Sequence, residues 1–122
     1  MVCVLDQGAV ECWGGSGANG GAAVPSPTLV LTAPNQVLRQ VVDIQEGGFV
    51  GNNDTGGQAA FLRSDGTAWI WPANSGPATA YGVPNILSIG WGGTPNSSGL
   101  RYITSDGQYH IDRTNPTIDC SL

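Results

Sequence analysis

Three segments of the chain share one pattern of apolar and polar positions. Each has a short apolar run, a turn that ends in glycine, and a second run in which apolar and polar residues alternate. The turn is Asp-Gly in the second and third segments and Gln-Gly in the first. Such pairs favour a type I′ turn, because glycine tolerates the positive φ that this turn requires. The pattern predicts three β-hairpins, at residues 3–13, 61–71 and 102–112.

The first hairpin places two cysteines opposite each other. With a two-residue turn at Gln7-Gly8, Cys3 faces Cys12 at a non-hydrogen-bonded position, where Cα atoms lie about 4.5 Å apart. This distance is near the short end of disulfide geometry, so Cys3 and Cys12 form the disulfide candidate. Two buried thiols are the alternative. An oxidised pair would favour an extracellular or periplasmic location. Cys120 is left over, as a free thiol or an intermolecular bridge.

A two-residue turn also sets the register of the third hairpin. It places His110 opposite Ile103, and Arg101 opposite Asp112. A cross-strand ion pair is therefore expected between Arg101 and Asp112. His110 is the only histidine of the chain, and we expect it to have a structural role.

A second element precedes the later two hairpins. Residues 41–48 and 86–93 are apolar runs that end in Gly-Gly, and each follows a proline-punctuated extended stretch, at 27–34 and 77–84. A helix capped by Asn35 is an alternative for residues around the first run, and a strand preceded by one turn of helix is favoured. The chain is thus interpreted as one β-repeat domain over residues 1–122, with a partial blade (1–24) and two repeats (25–76 and 77–122).

The order of these elements resembles the repeat of the regulator of chromosome condensation family of β-propellers. That repeat has an apolar strand ending in Gly-Gly, a hairpin with an Asp-Gly turn, and a closing Trp-Gly, which Trp13-Gly14 and Trp71 match. The first segment, with a cysteine on each side of its turn, is similar to a bacterial extracellular variety. The chain departs from the pattern at three positions: Pro72 replaces glycine, Asp112 replaces tryptophan, and Gln7 replaces the turn aspartate.

This resemblance implies an all-β fold of propeller-like repeats with antiparallel blades, about two and a half blades per chain. A closed propeller needs four to eight blades, so closure by oligomerisation is expected. A homodimer would carry six hairpins; a trimer or larger ring is the next choice, and a compact monomeric β-fold the third. Members of the family include nucleotide-exchange factors, chromatin binders and bacterial enzyme inhibitors, whose loops grip another protein.

The charge balance excludes several partners. Nine acidic residues face four basic ones, all arginines, and the net charge is −5 over 122 residues. Nucleic acids and anionic membranes both require clustered basic residues, so neither is an expected partner. The chain has no run of about 18 apolar residues, and its first six residues lack the features of a signal peptide.

No catalytic motif is present, so we expect a protein that is not an enzyme and uses no cofactor or metal. Five residues are candidates for ligand binding. Trp69 and Trp91 could stack on a sugar or anchor a protein. Asn52, Asn53 and Asp54 lie in a polar glycine-rich loop, which lacks the later glutamate of a calcium site.

The sequence therefore favours a non-enzymatic binding and assembly module. Loops at 14–21 and 51–57 would engage another protein on one face. A carbohydrate-binding module that uses Trp69 or Trp91 is one alternative, and a purely self-assembling structural protein is the other. The identity of the ligand does not follow from the sequence.

Overall fold

The computed structural model describes residues 2–14, 24–47, 58–71, 77–94 and 97–111. All regular secondary structure in these ranges is β-strand, and every strand pair is antiparallel, which confirms the all-β prediction. In chain order the strands are β1 (Val2–Asp6), β2 (Ala9–Gly14), β3 (Val24–Leu29), β4 (Leu31–Ala33), β5 (Gln36–Val37), β6 (Val41–Gly47), β7 (Gln58–Arg63), β8 (Ala68–Trp71), β9 (Thr79–Ala80), β10 (Ile86–Thr94), β11 (Ser97–Thr104) and β12 (Tyr109–Ile111).

Each predicted hairpin lies in its own sheet. The first sheet has the strand order β1-β2-β3, the second β6-β7-β8-β9, and the third β10-β11-β12, while β4 and β5 pair separately. Strands β6 and β10, termed the inner strands here, are the repeated apolar runs, and each pairs with the first strand of its hairpin. The extended stretches supply β3 and β9, which add to the preceding sheet.

The stretch around Asn35 forms a turn rather than a helix. Asn35 has a φ of 62° and lies between the paired strands β4 and β5. Asparagine tolerates this left-handed conformation because its short polar side chain can satisfy the local backbone. The predicted strand is confirmed as β6, but the turn of helix expected before it is wrong, because β5 occupies residues 36–37.

The first hairpin has the predicted turn, and the other two do not. Gln7 and Gly8 both have positive φ, as a type I′ turn requires. In the later turns only Gly66 and Gly107 do. There the turn closes over three residues, with the amide of Gly66 donating to the carbonyl of Arg63, a type I turn followed by a glycine bulge. The prediction of two-residue turns at these two sites is wrong.

The extra turn residue shifts the register of the third hairpin by one. His110 pairs with Tyr102 rather than Ile103, and Ile111, not Asp112, lies opposite Arg101. The predicted pairings of His110 and Arg101 are therefore wrong. Nη1 of Arg101 instead donates a hydrogen bond to the Tyr109 hydroxyl, with 3.5 Å between the two atoms.

The predicted cysteine register of the first hairpin is confirmed. Cys3 pairs with Cys12, the two Cα atoms are 4.1 Å apart, and the sulfurs are bonded at 2.12 Å. Cys12 is fully buried. The disulfide thus ties the two strands of the first hairpin together at the edge of the core. Cys120 lies outside the described residues.

The second sheet is buried on both faces. Side chains alternate along β7, so that Ala59 and Phe61 enter one apolar cluster while Ala60 and Leu62 enter another. The first cluster joins this sheet to the first sheet, and the second joins it to the third. Trp71 is 1% exposed and lies in the first cluster. This double burial explains why β7 is apolar along most of its length.

Successive sheets are joined by a repeated backbone contact, termed the junction here. The carbonyl of Gly8 accepts a hydrogen bond from the amide of Val41 at 3.0 Å, and that of Gly66 accepts one from Ile86 at 2.9 Å. In both cases the acceptor is a hairpin-turn glycine and the donor is the first residue of the next inner strand. The junction therefore sets where each sheet starts relative to the one before it.

Candidate functional site

The residue before each inner strand completes the junction. Gln40 and Asn85 both have a φ of 61°, which is unusual outside glycine. Their carbonyls accept hydrogen bonds at 2.8 Å from Ser64 and Ser105, the first turn residues of their own sheets. The left-handed residue thus directs its carbonyl to one turn while the next amide reaches the previous turn.

The turn glycines are required by both conformation and space. Gly8 and Gly66 have φ values of 84° and 86°. A Cβ atom on Gly8 would lie 3.1 Å from the nitrogen of Gln40, and one on Gly66 would lie 3.3 Å from the Cα of Asn85. Both neighbours are backbone atoms that cannot rotate away. We call the surface of each turn glycine, with its carbonyl, a turn seat.

The third turn repeats this seat without an occupant among the described residues. Gly107 has a φ of 85°, close to that of Gly66, and its amide donates to the Thr104 carbonyl at 2.9 Å, as Gly66 does to Arg63. A Cβ atom on Gly107 would meet nothing within 4 Å. The third seat thus has the form of the filled seats, and no described residue occupies it.

Carboxylates hold the second and third turns in this form. Oδ1 of Asp106 accepts hydrogen bonds from the Thr104 hydroxyl at 2.5 Å and from the Gln108 amide at 3.1 Å. Oδ1 of Asp65 accepts equivalent bonds from the hydroxyl and amide of Thr67. The threonine hydroxyl, followed by the amide, lowers the pKa of each carboxyl below 3.8.

An aromatic cluster supports the third turn from the side. The imidazole of His110 stacks on Tyr102 with ring centroids 4.8 Å apart, and Tyr81 meets Tyr102 edge to face at 5.5 Å. Nε2 of His110 lies 3.2 Å from Oγ1 of Thr104. With the Thr104 hydroxyl proton directed to Asp106, His110 is the donor in this contact. The hydroxyl is thus committed to the turn, and the arrangement stabilises the third seat.

Among the described residues, the first sheet has no counterpart of the inner strand that the second and third sheets contain. Strands β7 and β11 each pair with an inner strand, whereas β1 pairs only with β2 among the described residues. Val2, Val4 and Leu5 on β1 are 47%, 44% and 44% exposed. An exposed apolar edge strand of this kind is a template for another strand.

Both inner strands carry the same bulge. The register slips between Val41 and Asp43 in one, and between Ile86 and Ser88 in the other. The bulged residues Val42 and Leu87 are 56% and 63% exposed. Together with the turn residues Ser64, Asp65 and Ser105 they line one groove. The turns and bulges therefore form one continuous face.

Of the five predicted ligand-binding residues, only Trp69 has a side chain that the structure describes. Trp69 is partly buried against the first apolar cluster, and its Nε1 donates to the Thr67 hydroxyl at 3.4 Å. Trp91 lies on β10 opposite Leu100, and its side chain is not described. Asn52, Asn53 and Asp54 lie outside the described residues, as do the loop 51–57 and residues 15–21 of the loop 14–21. Their ligand-binding roles therefore stay predictions.

The described ranges contain neither a candidate metal cluster nor a candidate membrane-spanning helix. No group of three or more His, Cys, Asp or Glu side chains there could hold a metal ion. In the same ranges, no helix is long and apolar enough to cross a membrane.

Comparison of the chain with protein-family models, with curated proteins and with solved structures found no match. Any role of the third turn seat and of the edge of β1 therefore follows from their geometry alone. Sequence reasoning missed the turn seats, although one signal was available. An Asn or Gln directly before a β-branched residue that opens an apolar strand occurs at both junctions.

We predict that replacing Gly66 by alanine destabilises the chain more than replacing Gly82. Both glycines have a φ near 90°, so both variants carry a similar backbone strain, but only Gly66 faces a backbone within 3.4 Å. The added Cβ at Gly66 should cost about 1–3 kcal/mol beyond the Gly82→Ala control, by overpacking. Urea unfolding measures both. Equal losses for the two variants would contradict the close approach at the seat.

We also predict that the pKa of Asp106 lies below 3.8 and rises towards that value in Thr104→Val. Because its pKa is lowered in the folded chain, ionised Asp106 stabilises the fold fully above pH 3.8, and this contribution is lost as the pH falls through the lowered value. Titration followed by carboxyl NMR shifts measures the pKa. Thr104→Ser keeps the hydroxyl and should keep the low pKa; a rise in that variant as well would refute the assigned cause.

Proposed function

We propose that the chain is a non-enzymatic assembly and protein-binding module of propeller type, similar to the regulator of chromosome condensation family. In this proposal each chain supplies about two and a half blades, and further protein completes the array. In such a module, the turns and strand edges contact other proteins, and the chain catalyses no reaction.

The observation that carries this proposal is the repetition of the junction. Gly8 and Gly66 receive the next inner strand in the same way, with hydrogen bonds of 3.0 and 2.9 Å to Val41 and Ile86. A contact that recurs with the same geometry supports an array built by adding one sheet after another, as in repeat proteins. Gly107 offers the same contact again.

The two ends of the described array are complementary in what they lack. Among the described residues, no inner strand pairs with β1, and no sheet packs on the third turn. Apolar edges of this kind are costly to leave exposed and favour association. We propose that a second copy of the chain closes the array, as a homodimer with six hairpins or as a larger ring.

The face formed by the turns and bulges is the surface we propose for another protein. Val42 and Leu87 project from it as exposed apolar side chains, and Asp65 lies beside them. Exposed apolar residues grouped with polar ones are typical of protein contacts. A glycan site at Trp69 has less support, because Trp69 packs partly into the core.

The solution mass tests the proposed closure. Light scattering coupled to size exclusion should give at least twice the 12.5 kDa mass of the chain, with and without reductant, because the closure relies on backbone and apolar contacts. A mass of 12.5 kDa at all concentrations would contradict closure by a second copy. An oligomer that reductant converts to monomer would indicate a bridge through Cys120, and would contradict closure through the sheet ends.

A further inference from the structure

We propose that two copies of the chain associate by packing the outer face of the third sheet of one copy on the outer face of the first sheet of the other. The two faces carry opposite charges, and both combine charge with exposed apolar side chains. This inference rests on the proposed function, because it names the surfaces through which a second copy would close the array.

The strand register assigns the side chains of the third sheet to its two faces. Residues directly opposite each other in an antiparallel sheet share a face, and neighbours along a strand alternate. Ile89 and Leu100 lie on the inner face, where they join the second apolar cluster with residues of the second sheet. The outer face, termed the basic face here, carries Ser88, Gly90, Arg101, Ile103 and Tyr109.

The same reasoning assigns the faces of the first sheet. Val10 and Cys12 are fully buried on its inner face, in the first apolar cluster. The outer face, termed the acidic face here, carries Val4, Asp6, Ala9, Glu11 and Leu29. Together with Val37 and Arg39, these residues line a groove of about 340 Å³.

The acidic face has an excess of negative charge. Asp6 and Glu11 are both exposed, and Arg39 is the single basic residue that lines the groove. No described arginine lies within ion-pair distance of either carboxylate. This face therefore has two carboxylates for one guanidinium, and it attracts a further cation.

The basic face presents such a cation beside a hollow. Arg101 forms no ion pair with a described carboxylate, and its buried Nε has no hydrogen-bond partner among the described residues. Gly90 lies directly opposite Arg101 and has no side chain, so a depression of about 260 Å³ lies next to the guanidinium. Opposite charges on two surfaces select the partner and its orientation.

Apolar side chains accompany the charges on both faces. Val4 and Leu29 are 44% and 39% exposed on the acidic face, and Ile103 and Tyr109 are 39% and 44% exposed on the basic face. Surfaces of this mixed kind are typical of contacts between proteins, in which aromatic and apolar residues form the buried centre. The apolar part supplies affinity, and the charges set which faces meet.

The packing within one chain sets the direction of the contact. The second sheet receives the first sheet on one face and the third sheet on the other, through the two apolar clusters. Continued in the same direction, this stack brings the basic face of one copy onto the acidic face of the next. A contact between two different surfaces closes into a ring when the rotation between copies allows it.

Two variants with the same change in net charge should have opposite effects. Arg101→Gln removes the cation of the basic face and should weaken self-association about tenfold. Arg39→Gln makes the acidic face more negative and should strengthen self-association about threefold. Sedimentation equilibrium measures the dissociation constants, and circular dichroism with urea unfolding verifies that each variant is folded.

An exchange of charges between the faces tests their pairing. Arg101→Glu and Glu11→Arg should each weaken self-association at least about tenfold, because each places like charges on the two faces. The double variant restores opposite charges with their positions exchanged. Its dissociation constant should return to within about threefold of the parent value.

The outcomes separate this inference from the proposed function. An oligomer whose dissociation constant is unchanged in both glutamine variants, or shifts in the same direction in both, would refute the contact between these faces. So would a double variant that associates no better than the single ones. All of these results leave the proposed function intact, whereas a parent chain that is monomeric at all concentrations refutes the proposed function and this inference together.

Discussion

The hydrogen bond from the first amide of an inner strand to the carbonyl of the preceding turn glycine organises this protein. It requires a glycine with positive φ at the turn, because any side chain there would strike the approaching backbone. It also requires a left-handed residue before the strand, which Gln40 and Asn85 provide. One backbone hydrogen bond therefore restricts the residue type at two positions of each repeat: the turn glycine and the residue before the inner strand.

The two apolar clusters stabilise the arrangement of sheets that the junction hydrogen bonds determine. With the second sheet positioned between its neighbours, β7 buries residues on both faces, and Phe61 and Leu62 stabilise opposite contacts. Burial of this apolar surface supplies the main driving force, while the junction supplies the geometry. The ends of the described array show these two contributions, apolar surface and junction geometry, separately. At these ends, no described residue covers the apolar edge of β1 or the third turn seat.

Much of the fold could be predicted from the sequence, since strands and hairpins depend on local patterns. Cys3 opposite Cys12 followed from a two-residue turn, and this turn was correct. His110 was placed one residue out of register, because Asp106 accepts the amide of Gln108 and so favours a three-residue turn. The seat at Gly107 could not be predicted, because its meaning depends on contacts between sheets at Gly8 and Gly66. Asn52, Asn53 and Asp54 stay predictions that the described residues do not address.

Amide hydrogen exchange measured by NMR tests the central role of the junction most directly. The account predicts that the amides of Val41 and Ile86 exchange as slowly as that of Phe61 in the buried second sheet, because each donates to a turn carbonyl at 3.0 Å or less. Exchange of Val41 and Ile86 as fast as the amide of Asn35, an exposed turn residue, would contradict it.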